Sequence, residues 1–172
     1  MEIASPASWN KQEQKSEERM KESYLQAVEE FKRLDHLYYV TLKYTRTVDV
    51  IRATLERIIS THEHAVDALL KCLKAEKKLS ELPGNPVGKA LLATQHLSDP
   101  RLVQFIELYL KLRAVMRQPY EKKEEYRRHV TMIVQFEGET LNIDIDKLKE
   151  YFDNTGELLR HVKQRVLECK DD

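Results

Sequence analysis

Between Ala7 and Leu82 the chain contains neither glycine nor proline. These residues most reliably interrupt regular elements, so their absence over such a length excludes a turn-rich β architecture there and favours long helices. The run ends at Pro83-Gly84-Asn85-Pro86, a cluster that stops a helix. Cysteine is equally scarce. Cys72 and Cys169 stand far apart and in no Cys-x-x-Cys pair, which indicates neither a disulfide framework nor a cysteine-based zinc site and fits a reducing cytoplasm. An excess of one charge is also missing: basic and acidic residues number 29 each, so any phosphate binding must come from a local patch. No window reaches the roughly 18 to 20 apolar residues of a membrane span, and residues 1–18 hold no apolar leader segment, so a cytoplasmic protein with no membrane contact is expected. No P-loop, Gly-x-Gly-x-x-Gly or Gly-x-Ser-x-Gly sequence is present, which argues against nucleotide hydrolysis and acyl transfer.

What is there reads as helix. At 172 residues the chain can build one well-buried core, and its charged fraction of 34%, with the signs interspersed, is that of solvated helix faces. Residues 1–15 are polar and aperiodic and predict a mobile arm or a frayed helical extension carrying Trp9; residues 16–172 then form a single domain. A first helix over 16–44 would bury Tyr24, Ala27, Phe31, Leu34, Tyr38 and Leu42. From Leu37 its apolar residues cover more than one side, which predicts burial against two neighbours. Thr47 can cap a second long helix over 48–79, whose stripe of Ile51, Leu55, Ile58, Val66, Leu69 and Leu73 has His62 near its middle.

Asn85-Pro86 and Asp99-Pro100 start shorter helices to about 96 and 117. The second of these is apolar around most of its circumference, so it should be central or covered by another subunit. After Pro119 the charged EKKEEYRRH stretch reads as helix; 129–136 and 140–143 read as a β-hairpin, and Asp144 or Asp146 caps a last helix to about 167. Gly156 lies inside that helix at a cost of about 1 kcal/mol relative to alanine. The expected fold is mainly α, an up-and-down bundle of two long and several shorter helices with a small hairpin near 129–143.

Metal chemistry finds little support. A di-iron bundle needs Glu-x-x-His pairs, which are absent, and His62-Glu63-His64 lacks zincin spacing. Glu125 with His129 and Glu157 with His161 are spaced as helix-face neighbours, an arrangement more common on solvated surfaces than at metals. No metal or cofactor is expected.

Arg57 is followed by His62 after four residues and by His64 after six. This resembles the Arg-x(4 to 6)-His motif of the HEPN superfamily, four- or five-helix bundles that often dimerise with two motifs at the interface. The resemblance implies metal-independent RNA cleavage, with the imidazole moving a proton and the guanidinium holding phosphate oxygens. On the helix, Arg57 lies about 140° from His62 but shares a face with His64, and the structural reading of His62 is a neutral core histidine. Two further stretches, HLYYVTLKYTRTVDVIRATLERI (36–58) and EYRRHVTMIVQFEGE (125–139), resemble segments of uncharacterised archaeal helical proteins, which implies a shared fold.

A second candidate is a basic surface of Lys111, Arg113, Arg117, Lys122, Lys123, Arg127 and Arg128 with Tyr120 and Tyr126 between the charges, suited to phosphates and stacked bases. Glu121, Glu124 and Glu125 are interleaved, and a salt-bridged solvated face is the competing reading. The leading expectation is a non-enzymatic bundle that forms a homodimer or binds another protein. The alternative is a HEPN-like RNA endonuclease or RNA-binding protein.

Overall fold

The helical period of the first segment runs further toward the N-terminus than its apolar face. In the computed structural model, which describes residues 6–169 and side chains from residue 11, helix α1 spans Pro6–His36. Residues 1–5 and 170–172 and the Trp9 side chain lie outside the described residues. Residues 6–15, expected as an arm or a frayed extension, are therefore continuous with α1.

The inward residues of α1, Met20, Ser23, Ala27, Glu30 and Leu34, alternate steps of three and four. Tyr38 and Leu42 then follow by two steps of four, which overruns an ideal α-helix by about 80°. A π-turn at Leu37–Thr41, closed by Leu42 N–H donating to the Leu37 carbonyl, widens the helix and absorbs the overrun. A short α2, Leu42–Tyr44, completes the segment.

Helix α3 (Val48–Ala75) is the axle, packing against α1, α4 (Pro86–His96), α5 (Pro100–Met116) and α6 (Ile145–Leu167). Each of α3 to α6 starts as the sequence indicates: Thr47, Asn85, Asp99 and Asp144 accept backbone amides of the first turns. The Glu125 carboxylate adds a second cap to α3, accepting from Val48 N–H at 3.2 Å. Buried threonines on α3 and α6 satisfy their hydroxyls one turn back: Thr54, Thr61 and Thr155 donate to the carbonyls of Val50, Arg57 and Tyr151.

Two expectations are corrected. The stretch after Pro119 is not helical: Tyr120–Lys123 is strand β1, paired antiparallel with β2 (Thr131–Phe136), which pairs in turn with β3 (Glu139–Ile143). The charges suggested helix by composition, but no apolar period accompanies them, and the free edge of β2 needs backbone partners that 120–123 supply. All four β1 residues are exposed, and Glu121, Lys122 and Lys123 make it a charged outer strand that discourages further pairing. The β2–β3 hairpin turns at Glu137-Gly138, both at positive φ (52° and 79°), which matches the right-handed twist of the strands.

The other correction concerns the stretch after Leu37, where Tyr39, Val40 and Tyr44 are exposed at 47%, 42% and 79% instead of buried between two neighbours. Helix α5 takes the central one of its two expected placements: Leu102, Phe105, Ile106, Tyr109, Leu112 and Val115 are buried, and none of its large apolar residues is exposed. Around these faces the core divides into two clusters. One gathers Leu69, Leu73, Ala90, Phe105, Ile106 and Leu158 between the helices; the other gathers Ile51, Leu55, Val115, Met132, Val134 and Phe152 beneath the sheet.

Candidate nucleic-acid interface

The π-turn sets one wall of the candidate site. Tyr38 turns inward, stacks on Phe152 at 5.5 Å between centroids and donates its hydroxyl to the Ile145 carbonyl at 3.4 Å. This fixes the π-turn against the start of α6. The next residue, Tyr39, keeps one edge on Phe152 (5.5 Å) and leaves the rest of its ring in solvent. Tyr44, at the end of α2, is almost wholly exposed, and the Lys43 ammonium lies 5.8 Å from its ring centre.

The opposite wall is the β1–β2 connection. Its backbone passes through positive φ at Glu124 (54°) and Tyr126 (64°), a conformation that costs energy for side-chain-bearing residues. Two contacts hold it there: Tyr126 N–H donates to the Arg46 carbonyl at 2.7 Å, and Glu125 caps α3. The outcome is that Tyr126, 78% exposed, stands beside the link that carries Tyr44 and Arg46.

Arg46 joins two hollows. One, about 240 Å³, lies among Tyr38, Tyr39, Lys43, Arg46 and Ile145; the other, about 220 Å³, lies among Arg46, Arg128, His129, Asp144 and Asp146. Arg46 and Ile145 line both, so the two hollows adjoin as a furrow in two parts. The Arg46 Nε is buried with no hydrogen-bond partner among the described residues, an uncompensated donor at the furrow's centre. Asp144 is committed to its own helix, accepting from Lys147 N–H at 2.8 Å, and Asp146 offsets part of the basic charge. Lys149 closes the Tyr39 end, 5.9 Å from that ring, and its pKa is raised chiefly by its hydrogen bond to Asp153.

The residues expected to catalyse do not converge. His62 is fully buried, its Nδ1 sits 2.8 Å from the Ile58 carbonyl, and its ring stacks on Tyr109. Desolvation lowers its pKa to about 4, so at neutral pH it is an uncharged core residue out of reach of solvent. Arg57 points toward α1 and donates to Glu30 at 2.9 Å. His64 faces a shallow groove along α1 that also holds Glu18, Glu22, Glu29 and Glu30 against Lys21 and Arg33. Four carboxylates against two cations disfavour a phosphate backbone there.

The basic candidates divide. Arg113 is folded onto Glu63, 21% exposed, in a small cleft with the Tyr109 hydroxyl, which also donates to Glu63 at 3.3 Å. Lys122 is tied to Asp49 at 3.2 Å. Arg117 and Lys123 are exposed but lie outside the furrow. Arg127 and Arg128 are exposed in the β1–β2 connection beside Tyr126, with Arg128 lining the furrow. Tyr39, Lys43, Tyr44 and Arg46 were missed from the sequence. Their signal was position: they occupy the outward steps between the core residues Tyr38 and Leu42 and beyond. The stretches 36–58 and 125–139 meet at this furrow through the Tyr126–Arg46 and Glu125–Val48 bonds.

The chain matches no protein-family model, no curated protein and no solved structure.

Proposed function

We propose that this chain is a non-catalytic helical module that binds single-stranded nucleic acid along the furrow between the π-turn and the β1–β2 connection. The observation that carries the reading is that the furrow's lining sets Tyr39 beside Lys43, Arg46 and Arg128, with the exposed Tyr44, Tyr126 and Arg127 next to these residues in the chain. Bases stack on aromatic faces whatever their identity, and cations between the rings hold the phosphates, so the combination suits an unpaired strand. A duplex offers no free base faces to the tyrosines. An apolar protein partner would strip water from four basic side chains without returning a counter-charge, which argues against that occupant.

Titrating a labelled single-stranded RNA, its DNA counterpart and the matching duplex by fluorescence anisotropy tests this. Contact with three or four phosphates gives a slope of log K against log salt of about −2 to −3. Tyr44→Ala and Tyr126→Ala each weaken binding about tenfold, since one stacked base contributes roughly 1 to 3 kcal/mol. Both rings are exposed, so their removal leaves the fold intact. Single-strand binding weaker than about 100 μM at low salt, or affinity indifferent to both tyrosines, refutes the reading. So does a homodimer that Tyr44→Glu dissociates, because the face would then belong to a second copy. The RNA should also emerge uncut, with or without EDTA, given the sealed His62; cleavage abolished by His64→Ala would restore the nuclease reading.

A further inference from the structure

The two cysteines, 97 residues apart in sequence, come together where α3 and α6 end. Cys72 is buried on α3 and Cys169 follows the C-cap of α6; the Cys169 thiol donates to the Cys72 carbonyl at 3.4 Å. Both sulfurs and a Glu76 carboxylate oxygen lie within 4.8 Å of one another. Arg165 occupies the middle of this group. Its Nη1 donates to the Cys72 sulfur at 3.0 Å, and its two arms grip Glu76 at 2.7 and 2.6 Å.

This arrangement opposes a metal ion. A divalent cation would face the guanidinium, and with both Glu76 oxygens taken by Arg165 only two sulfur ligands remain, short of a tetrahedral zinc site. A neutral bond between the sulfurs meets neither obstacle. We propose that Cys72 and Cys169 are a modification site, a dithiol that hydrogen peroxide converts to a reversible intramolecular disulfide.

Cys169 is the more accessible sulfur and reacts first. Its sulfur attacks one peroxide oxygen, the O–O bond breaks, and Cys169 becomes a sulfenic acid while the other oxygen leaves with the thiol proton as water. The Cys72 sulfur then attacks the Cys169 sulfur. The S–S bond forms, the S–O bond breaks, and the departing hydroxide takes the Cys72 proton as a second water. Two thiols and one peroxide thus give one disulfide and two waters. Burial pushes the Cys72 thiol well above its ordinary range, which works against this attack, and the Arg165 guanidinium, donating to the Cys72 sulfur at 3.0 Å, counters it by steadying the developing thiolate. Cys169 lies past the end of its helix, so its backbone can follow the sulfur inward.

The test treats the full chain with stoichiometric peroxide, blocks remaining thiols by alkylation and measures mass under denaturing, non-reducing conditions. The expected product has lost two hydrogen masses, carries no alkyl group, yields a linked Cys72–Cys169 peptide and reverts with dithiothreitol. Because the bond closes a long loop, the oxidised form should unfold roughly 10 °C higher. Cys169→Ser should leave Cys72 reduced at the same dose. Overturning results are an alkylatable Cys72 beside a Cys169 that has gained two oxygens, disulfide-linked dimers in place of the internal bond, or stoichiometric zinc held by the reduced protein and lost in Cys169→Ser.

Discussion

Acidification distinguishes a core His62 from a working one. The ring's Nδ1 is assigned as the donor to the Ile58 carbonyl at 2.8 Å, which leaves Nε2 a bare acceptor, buried and without a partner among the described residues. Charging the ring would add a proton there with nothing to receive it, and desolvation accordingly moves the pKa from 6.5 to about 4. Since the folded pKa lies below the unfolded one, the folded state binds fewer protons between those values. Its stabilising contribution is complete above pH 6.5 and is lost as pH falls toward 4. At about 1.4 kcal/mol per unit the whole effect is about 3 kcal/mol, a large share of a typical 5 to 15. Urea unfolding of wild type and His62→Leu across this window measures it: wild-type stability should fall with pH by that amount relative to the variant, whose side chain cannot titrate. In parallel, the His62 ring carbon shift should stay at its neutral value until the pH approaches 4. Parallel stability curves, or a His62 that titrates near 6.5, would refute the assignment.

A second acid window belongs to Glu76. The Arg165 hydrogen bonds hold its carboxyl down from 4.5 to about 2, so its contribution is complete above pH 4.5 and is lost as pH falls through 2. Glu76→Gln should flatten the stability loss across that range by up to about 3 kcal/mol, and an unchanged acid limb in chemical denaturation would contradict the pairing. Gly156→Ala tests the last helix: a methyl group there would meet Phe31 Cζ at 3.5 Å, an ordinary contact, and the residue's φ is not positive. Stability should rise by about 1 kcal/mol in urea melts, whereas a loss would mean that α1 and α6 are packed too closely for a methyl group.

The helices were legible because their signals are local and redundant. Thr47, Asn85 and Asp99 mark helix starts in the sequence and cap them in the fold, and the Ile51 to Leu73 stripe is buried as its period requires. Asp144, one of two caps considered for α6, is the one used. Strand β1 was not legible because its reason lies elsewhere in the chain. Nothing in Tyr-Glu-Lys-Lys selects a strand until β2 presents an edge to pair with. The thiol pair was hidden for the same reason: spacing along the chain says nothing of two helix ends that meet.

The site was obscured by a more instructive failure, since apolar content around a helix does not reveal which neighbour covers it. Helix α5 could be central or covered by a second subunit, and it is α3, α4 and α6 that enclose it. Leu37 to Tyr44 looked doubly buried, yet its outer side faces solvent. The difference lies in the kind of residue. The surplus on α5 is largely aliphatic, with nothing to gain from water, whereas the surplus after Leu37 is tyrosine beside lysine and arginine, whose rings and charges can remain wet. The π-turn completes the separation by carrying Tyr38 and Leu42 inward and leaving Tyr39, Val40 and Tyr44 outside. The core accounts for the widened turn itself, since it buries Leu42 and seats Tyr38 on Phe152, but it gives no reason for leaving Tyr39 and Tyr44 in solvent. Those exposed rings are accounted for if they are themselves the contact surface, which is why the tyrosine substitutions, rather than any change at His62 or Arg57, test the proposed function.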